Sequence, residues 1–463
     1  MKTQEFFMKN ERPVISLGGV SIWIRKSLKA NSFNFLQALL FIALASLFTQ
    51  CQKKVLIETD VTTPIAIAKD TVKKTTTSTT VDQYILEQAI SDEAQQNTIA
   101  FDCLGFMTGD FGSQTFLPPG KVADYSGFQY LRDNDPTQLG HNTSFVTIIA
   151  SNMLNILSTD QINMFVASAK EQIDQINEFG YKRFPLCKAY RRLIDKDLPT
   201  GTTGLNKEVV MSYTAELYRI DGQISYNRAQ LFGKVLSSLT TAQKAKLDAL
   251  KNLKGVGNWN SKLSNPLDGL NLQQDVNVGV MTYASEMYAW YAGTIKSDVY
   301  FCPERHGTYF GSFYLKDWPA MGNPNYTFDE KMTGESGQNL LAILTTSQAT
   351  QIKGIVDLQR SALTELVTKR TDISTELRKF LVAQTASSST VLSLSERYGQ
   401  LDGELSYYYA TNFAQVYNAL TTEQKAKVLA LAFGLGYISP KGAFLYSQPI
   451  ALPTVINTDF MFK

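Results

Sequence analysis

The sequence predicts a mainly α protein built of two pseudo-symmetric helical-hairpin repeats, joined by irregular aromatic-rich segments with few short strands. Two observations carry that expectation. Asp221-Gly-Gln-Ile-Ser-Tyr226 returns as Asp402-Gly-Glu-Leu-Ser-Tyr407, and the same shift in numbering carries Leu239-Thr-Thr-Ala-Gln243 onto Leu420-Thr-Thr-Glu-Gln424. Two signatures held in one register mark an internal duplication. Around them, apolar residues recur at three- and four-residue steps, the period of an amphipathic helix.

The chain has 463 residues, of which 44% are hydrophobic, enough for large cores. Its first fifty residues hold Lys2, Lys9, Arg12, Arg25, Lys26 and Lys29, then an apolar run from Phe35 to Phe48. That run has the shape of a secretory h-region, so 1–50 reads as a signal peptide and the protein as exported. Taking away six basic and two acidic residues from totals of 44 and 42 leaves 38 and 40. The slight basic excess belongs to the signal, and nothing remains to support a nucleic-acid partner.

Leu47-Phe-Thr-Gln-Cys51 is similar to a bacterial lipoprotein signal, which implies an acylated Cys51 and a lipid anchor in the periplasm or outer membrane. Cleavage after Ala43-Leu-Ala45 is the alternative. Residues 51–96 read as a disordered tether, Thr- and Lys-rich and without helical or strand period.

The first lobe spans 97–260 and opens on Asn97-Thr-Ile-Ala-Phe-Asp-Cys103, read as non-helical and followed by a Gly/Pro-punctuated loop. Its counterpart in the second lobe, 297–440, is Ser297-Asp-Val-Tyr-Phe-Cys302, because each Cys stands eight residues before Phe-Gly-Ser. Ile162, Phe165, Val166, Ala169, Ile173 and Ile176 line the first long helix of lobe one. In lobe two the matching face is Ile352, Ile355, Leu363, Leu366, Ile373, Leu377 and Phe380. The second long helix carries Val210, Tyr213, Leu217, Ile220, Ile224, Leu231 and Val235, a spacing suited to antiparallel packing. Gly222 and Gly403 fall inside these helices, where close approach of a partner helix is the expected reason. A connector occupies 261–296 and a tail 441–463, whose Asn457-Thr-Asp-Phe-Met-Phe462 echoes Asn97-Thr-Ile-Ala-Phe and so is expected to return to the opening region of a lobe.

Four copies of L-[ST]-T-x-Q stand before helical patterns: Leu157, Ser158 and Gln161; Leu239, Thr240 and Gln243; Leu344, Thr345 and Gln348; Leu420, Thr421 and Gln424. Ser or Thr three residues before Gln is a capping box, in which hydroxyl and amide each satisfy one orphan backbone N–H. On this physics the motif starts helices and carries no chemistry. Paired L-T-x-x-Q motifs also resemble the Spy/CpxP-like periplasmic proteins, and the chain looks like two such units in tandem. The resemblance implies an all-helical envelope protein of the ATP-independent chaperone or envelope-stress and metal-sensor type, here expected to be non-enzymatic and to bind unfolded or partner polypeptides. It further implies units that pair into a cradle. No cofactor is expected.

Cys103, Cys187 and Cys302 remain after Cys51. A disulfide between Cys103 and Cys302 and burial of both as small apolar side chains are both open. Cys302-Pro-Glu-Arg-His306 is the one local cluster suggestive of catalysis or metal, but the chain has only two His, His141 and His306. Ten aromatics between Tyr288 and Trp318 suit either a core or a binding face. Two further functions therefore stand beside polypeptide binding: a structural or surface-assembly lipoprotein, and a small-ligand binder or enzyme using the opening loops.

Overall fold

The structure, a computed structural model, describes residues 90–108, 144–253, 258–293, 295, 336–434 and 454–463, with short strand pairs at 16–17/20–21 and 443–445/448–450. Residues 78–463 form one compact unit and 1–77 another. The described part is 79% helical with 1% strand, so the protein is mainly α. Cys51, the Phe35–Phe48 run, Cys302 to His306 and the aromatics from Tyr300 to Trp318 lie outside the described residues.

Helices in chain order are α1 (Asp92–Thr108), α2 (Ser144–Leu154), α3 (Thr159–Lys182), α4 (Phe184–Asp195), α5 (Lys207–Ser237), α6 (Thr241–Lys251) and α7 (Gln274–Ala292). Then follow α8 (Ser336–Ile343), α9 (Thr346–Lys353), α10 (Ile355–Arg378), α11 (Ser388–Ala419) and α12 (Thr422–Gly434).

Local chemistry places the ends. Asn206 caps α5 by accepting from the Glu208 and Val209 N–H groups, and Ser387 caps α11 by accepting from Thr390. Between α3 and α4 the chain bends at Arg183, with Pro185 in the first turn of α4, where a missing N–H costs nothing. Lys196 closes α4 with φ 58°, a left-handed residue at a helix C-terminus.

The centre of the molecule is the antiparallel pair α5 and α11. Lys207 near the start of α5 bonds Glu404 at 2.6 Å, and Tyr226 further along bonds the Ala386 carbonyl at 3.3 Å. Helix α3 packs on α5 and α10 on α11, which makes two hairpins lying back to back. Arg397 grips Glu365 with two bonds of 2.7 and 2.6 Å, tying α11 to α10. Helix α7 lies on α2 and α3, whereas α1 lies on α8, α9, α11 and α12.

Several stretches differ from the sequence expectation. The face read from Ile352 to Phe380 as one helix is divided among α9, α10 and a single 3-10 turn at Lys379–Val382, with the first break at Gly354. Asn97 to Cys103 is not an opening loop but the middle of α1, a helix that begins at Asp92, inside the stretch read as tether. The connector contains α7, a full helix whose Tyr283, Ala284, Met287, Tyr288 and Trp290 are buried. Both helices are covered on nearly every side, so neither shows the one-sided period by which amphipathic helices are recognised. The aromatics that α7 contributes are core: Trp259 stands edge-on to Tyr288 at 4.7 Å.

The tail docks on the turn before α5. Lys463 N–H donates to the Gly204 carbonyl at 2.9 Å, Asn206 N–H donates to the Met461 carbonyl at 2.7 Å, and Arg192 holds Asp459 at 2.7 Å. It returns not to an opening segment but to the α4–α5 turn.

Candidate functional site

Each predicted motif forms the expected box. Ser158 N–H donates to Gln161 Oε1 at 2.8 Å while Gln161 N–H donates to Ser158 Oγ at 3.3 Å. Thr240 with Gln243, and Thr345 with Gln348, repeat both bonds. Thr421 and Gln424 do so at 3.0 and 3.1 Å. Leu157, Leu239, Leu344 and Leu420, which open the motifs, are all buried against the hairpins.

The structure then joins the boxes in pairs. Gln243 Nε2 donates to Gln161 Oε1 at 2.7 Å and to the Ile156 carbonyl at 2.8 Å. Gln161 Nε2 donates to Ser238 Oγ at 2.9 Å and to the Ser238 carbonyl at 3.3 Å. In the other half, Gln424 Nε2 donates to Gln348 Oε1 at 2.9 Å and to the Ile343 carbonyl at 3.1 Å, and Gln348 Nε2 donates to the Ala419 carbonyl at 3.2 Å. Each Gln thus caps its own helix with its oxygen and fastens a neighbouring turn with its nitrogen. A capping box alone accepts Glu as readily as Gln. Only Gln has the donors that tie two helix starts together.

Gln243→Glu keeps the cap acceptor and loses both donated bonds, leaving the Ile156 carbonyl unpaired and two oxygens face to face. We expect a loss of about 1–2 kcal/mol in urea unfolding. Unchanged stability would mean that the box is the motif's whole role.

Between the hairpins lies a polar seam. Tyr218 O–H donates to Asp402 Oδ2 at 3.1 Å, and the Tyr218 and Tyr398 rings stand 5.1 Å apart. Asp221, Ser225, Asp402 and Ser406 are all buried here. A Cβ at Gly399 would lie 2.5 Å from the Thr214 carbonyl oxygen, and one at Gly403 would lie 2.9 Å from Met211 Cα. A Cβ at Gly222 would meet Ser395 Cβ at 2.6 Å. The mid-helix glycines are there for close approach, and they leave no open groove between α5 and α11.

Several other buried polar groups bind helix to helix. Arg228 Nη1 reaches both oxygens of Glu286 at 2.8 and 2.6 Å, fixing α7 on α5. Burial pushes the Glu286 carboxyl up, against the pull of the Arg228 charge. Tyr283 O–H donates to Gln172 Oε1 at 3.0 Å. Tyr409 O–H donates to Gln359 Oε1 at 2.8 Å, whose Nε2 donates to Gln95 on α1 at 2.8 Å. These links were missed from sequence because the polar residues that make them recur at no spacing that marks a site.

Cys103 and Cys187 are buried thiols. Burial raises the Cys103 thiol well above its ordinary value, and raises Cys187 to about 12 against the opposing charge of Arg183. Thiols held protonated are poor nucleophiles and ligands. Among the described residues no group of three or more His, Cys, Asp or Glu side chains is placed to hold a metal, and no helix is long and apolar enough to cross a membrane. The structure therefore brings the four cap motifs together two by two, and leaves Cys103 buried on α1. No protein-family model matches the chain, and neither a curated protein nor a solved structure matches it.

Proposed function

We propose that this chain is a covalent tandem of two LTxxQ-type units, exported, anchored through Cys51, and acting without catalysis as a Spy/CpxP-like binder of envelope polypeptides. The observation that carries the reading is the pairing of the caps. One shift in numbering carries Ile156 and Gln161 onto Ile343 and Gln348, and the shift of the Asp-Gly signatures carries Ser238 and Gln243 onto Ala419 and Gln424. The backbone acceptors and the Gln–Gln bond correspond in the two halves.

Contacts along the seam support the same two-unit reading. Gly222 faces Ser395, and their counterparts under the shift of the Asp-Gly signatures, Gly403 and Thr214, face each other. Tyr218 faces Gly399, its own counterpart. Contacts that map onto themselves in this way are what a two-fold pairing of like units produces.

In the pairing that the resemblance implies, two units leave a cradle between them. Here that face is filled by the Tyr218, Tyr398 and glycine contacts, so polypeptide is held on the outer surfaces of the units. The same filling favours one second reading, a structural or assembly lipoprotein whose rigid pair packs against other envelope components.

Aggregation of a chemically unfolded client, followed by light scattering with the tether-bearing mature chain and no ATP, separates the two. The binder suppresses scattering at near-stoichiometric ratios, because without an energy source it holds clients only by exposed apolar surface. A folded chain that leaves several clients to aggregate unhindered sinks the binder and leaves the assembly reading.

A further inference from the structure

Helices α1 and α7 share more than their lack of period. Thr98-Ile-Ala-Phe-Asp-Cys-Leu-Gly-Phe106 aligns without a gap on Thr282-Tyr-Ala-Ser-Glu-Met-Tyr-Ala-Trp290. Thr and Ala are kept, Asp102 corresponds to Glu286, Gly105 to Ala289, and Phe106 to Trp290. Residues 99–104 and 283–288 are buried in both without a break.

Their surroundings correspond as well. The Phe106 ring packs on Phe413 of α11 at 5.7 Å, and the Trp290 ring packs on Phe232 of α5 at 5.9 Å. Phe232 and Phe413 are counterparts under the shift of the seam, which carries Asp221 onto Asp402. Gln359 donates its Nε2 hydrogen to Gln95 of α1, and Gln172 accepts from Tyr283 of α7. Those two glutamines correspond under the shift that carries Gln161 onto Gln348. Helix α1 lies on α8 as α7 lies on α2. So α7 follows the unit whose core it fills, whereas α1 fills the core of the unit furthest from it in the chain.

We propose that α1 is the closing helix of the second unit: the tandem is circularly permuted, and its N-terminal helix completes the C-terminal unit as α7 completes the first. The inference rests on the two-unit reading. Without α1, helices α8, α9 and α12, which carry the buried Leu340, Ile352 and Val428, would lose the one helix among the described residues that lies on all three. The C-terminal tail crosses in the opposite sense, onto the α4–α5 turn of the first unit. Both crossings hold the halves together, and no cut between α7 and α8 yields two self-sufficient pieces. The core that α7 fills closes on contacts within 144–292, whereas α1, made at the start of synthesis, stays without its partner helices until 336–434 have been made.

Native-state hydrogen exchange on the full chain, read by mass spectrometry in mild denaturant, tests this through a crossed response. Phe106→Ala is expected to speed exchange in α8–α12 on the order of a hundredfold, with a smaller effect on α2–α6. Trp290→Ala should do the reverse. If either alanine variant fails to fold, Phe106→Leu and Trp290→Phe give the same crossed pattern at smaller amplitude. Phe106 variants that loosen α2–α6 first would overturn the closing role while leaving two units. A single exchange block, loosened equally by both variants, would overturn the closing role and the two-unit reading together.

Discussion

Arg228→Ala is expected to cost the folded chain about 3–5 kcal/mol, because it leaves the Glu286 carboxylate buried without its counter-charge. That is a large share of the roughly 5–15 kcal/mol that holds a folded domain. The side chains of Arg228 and Glu286 are only 8% and 3% exposed, so water cannot take the partner's place. Replacing both by Met or Leu of similar volume should cost far less than Arg228→Ala alone, since the desolvation of two charges disappears with them. Urea unfolding followed by circular dichroism measures both. A double variant as unstable as the single one would show that packing, not the ion pair, fixes α7 on α5.

The pH dependence of the single variant has a definite sign. Burial already raises the Glu286 carboxyl above 4.5, and loss of Arg228 removes the main opposing charge. The folded state then binds a proton more tightly than the unfolded state. Stability must therefore rise as pH falls from the raised folded value toward the ordinary carboxylate range, and fall again as pH climbs back through that window. Parallel pH profiles for variant and parent would contradict this account.

The second large effect is expected at the seam. Gly399→Ala places a Cβ 2.5 Å from the Thr214 carbonyl oxygen, 2.7 Å from Tyr218 Cβ and 2.9 Å from Ala215 Cα. Two of these neighbours are backbone, which moves only if the helices part. The cost should be about 1–3 kcal/mol, even though alanine in place of glycine favours a helix by about 1 kcal/mol. Gly222→Ala meets a side chain instead, Ser395, so the double change with Ser395→Gly should recover part of the loss. Gly269→Ala, with nothing within 4 Å, is the control and should be close to neutral. Equal stability of Gly399→Ala and Gly269→Ala would refute a tight seam.

Much of the helical frame was legible in the chain. Ser158, Thr240, Thr345 and Thr421 announced four helix starts because a capping box is local chemistry, complete within four residues. The stripe through Val210, Tyr213, Leu217, Ile220, Ile224, Leu231 and Val235 marked the inward face of α5: five of the seven are buried, and Tyr213 and Ile220 are half-buried against the core. The glycines inside α5 and α11 announced a close neighbour without saying which.

Tertiary structure decided the rest. Asp221-Gly-Gln-Ile-Ser reads as partly polar, yet Asp221, Gly222 and Ser225 are the inward face of α5. Small polar residues look solvated until a second helix arrives at glycine distance and covers them. Asn97 to Cys103 reads as a loop, yet it is the middle of α1, because the surrounding helices bury it on nearly every side. The amide nitrogens of Gln161 and Gln424 have acceptors only because distant turns are brought to them. Sequence by itself determined the elements whose signals are one-sided or contained in a single turn. Helices covered on nearly every side, as α1 and α7 are, have no such period, and only the neighbours that close around them decided that they form.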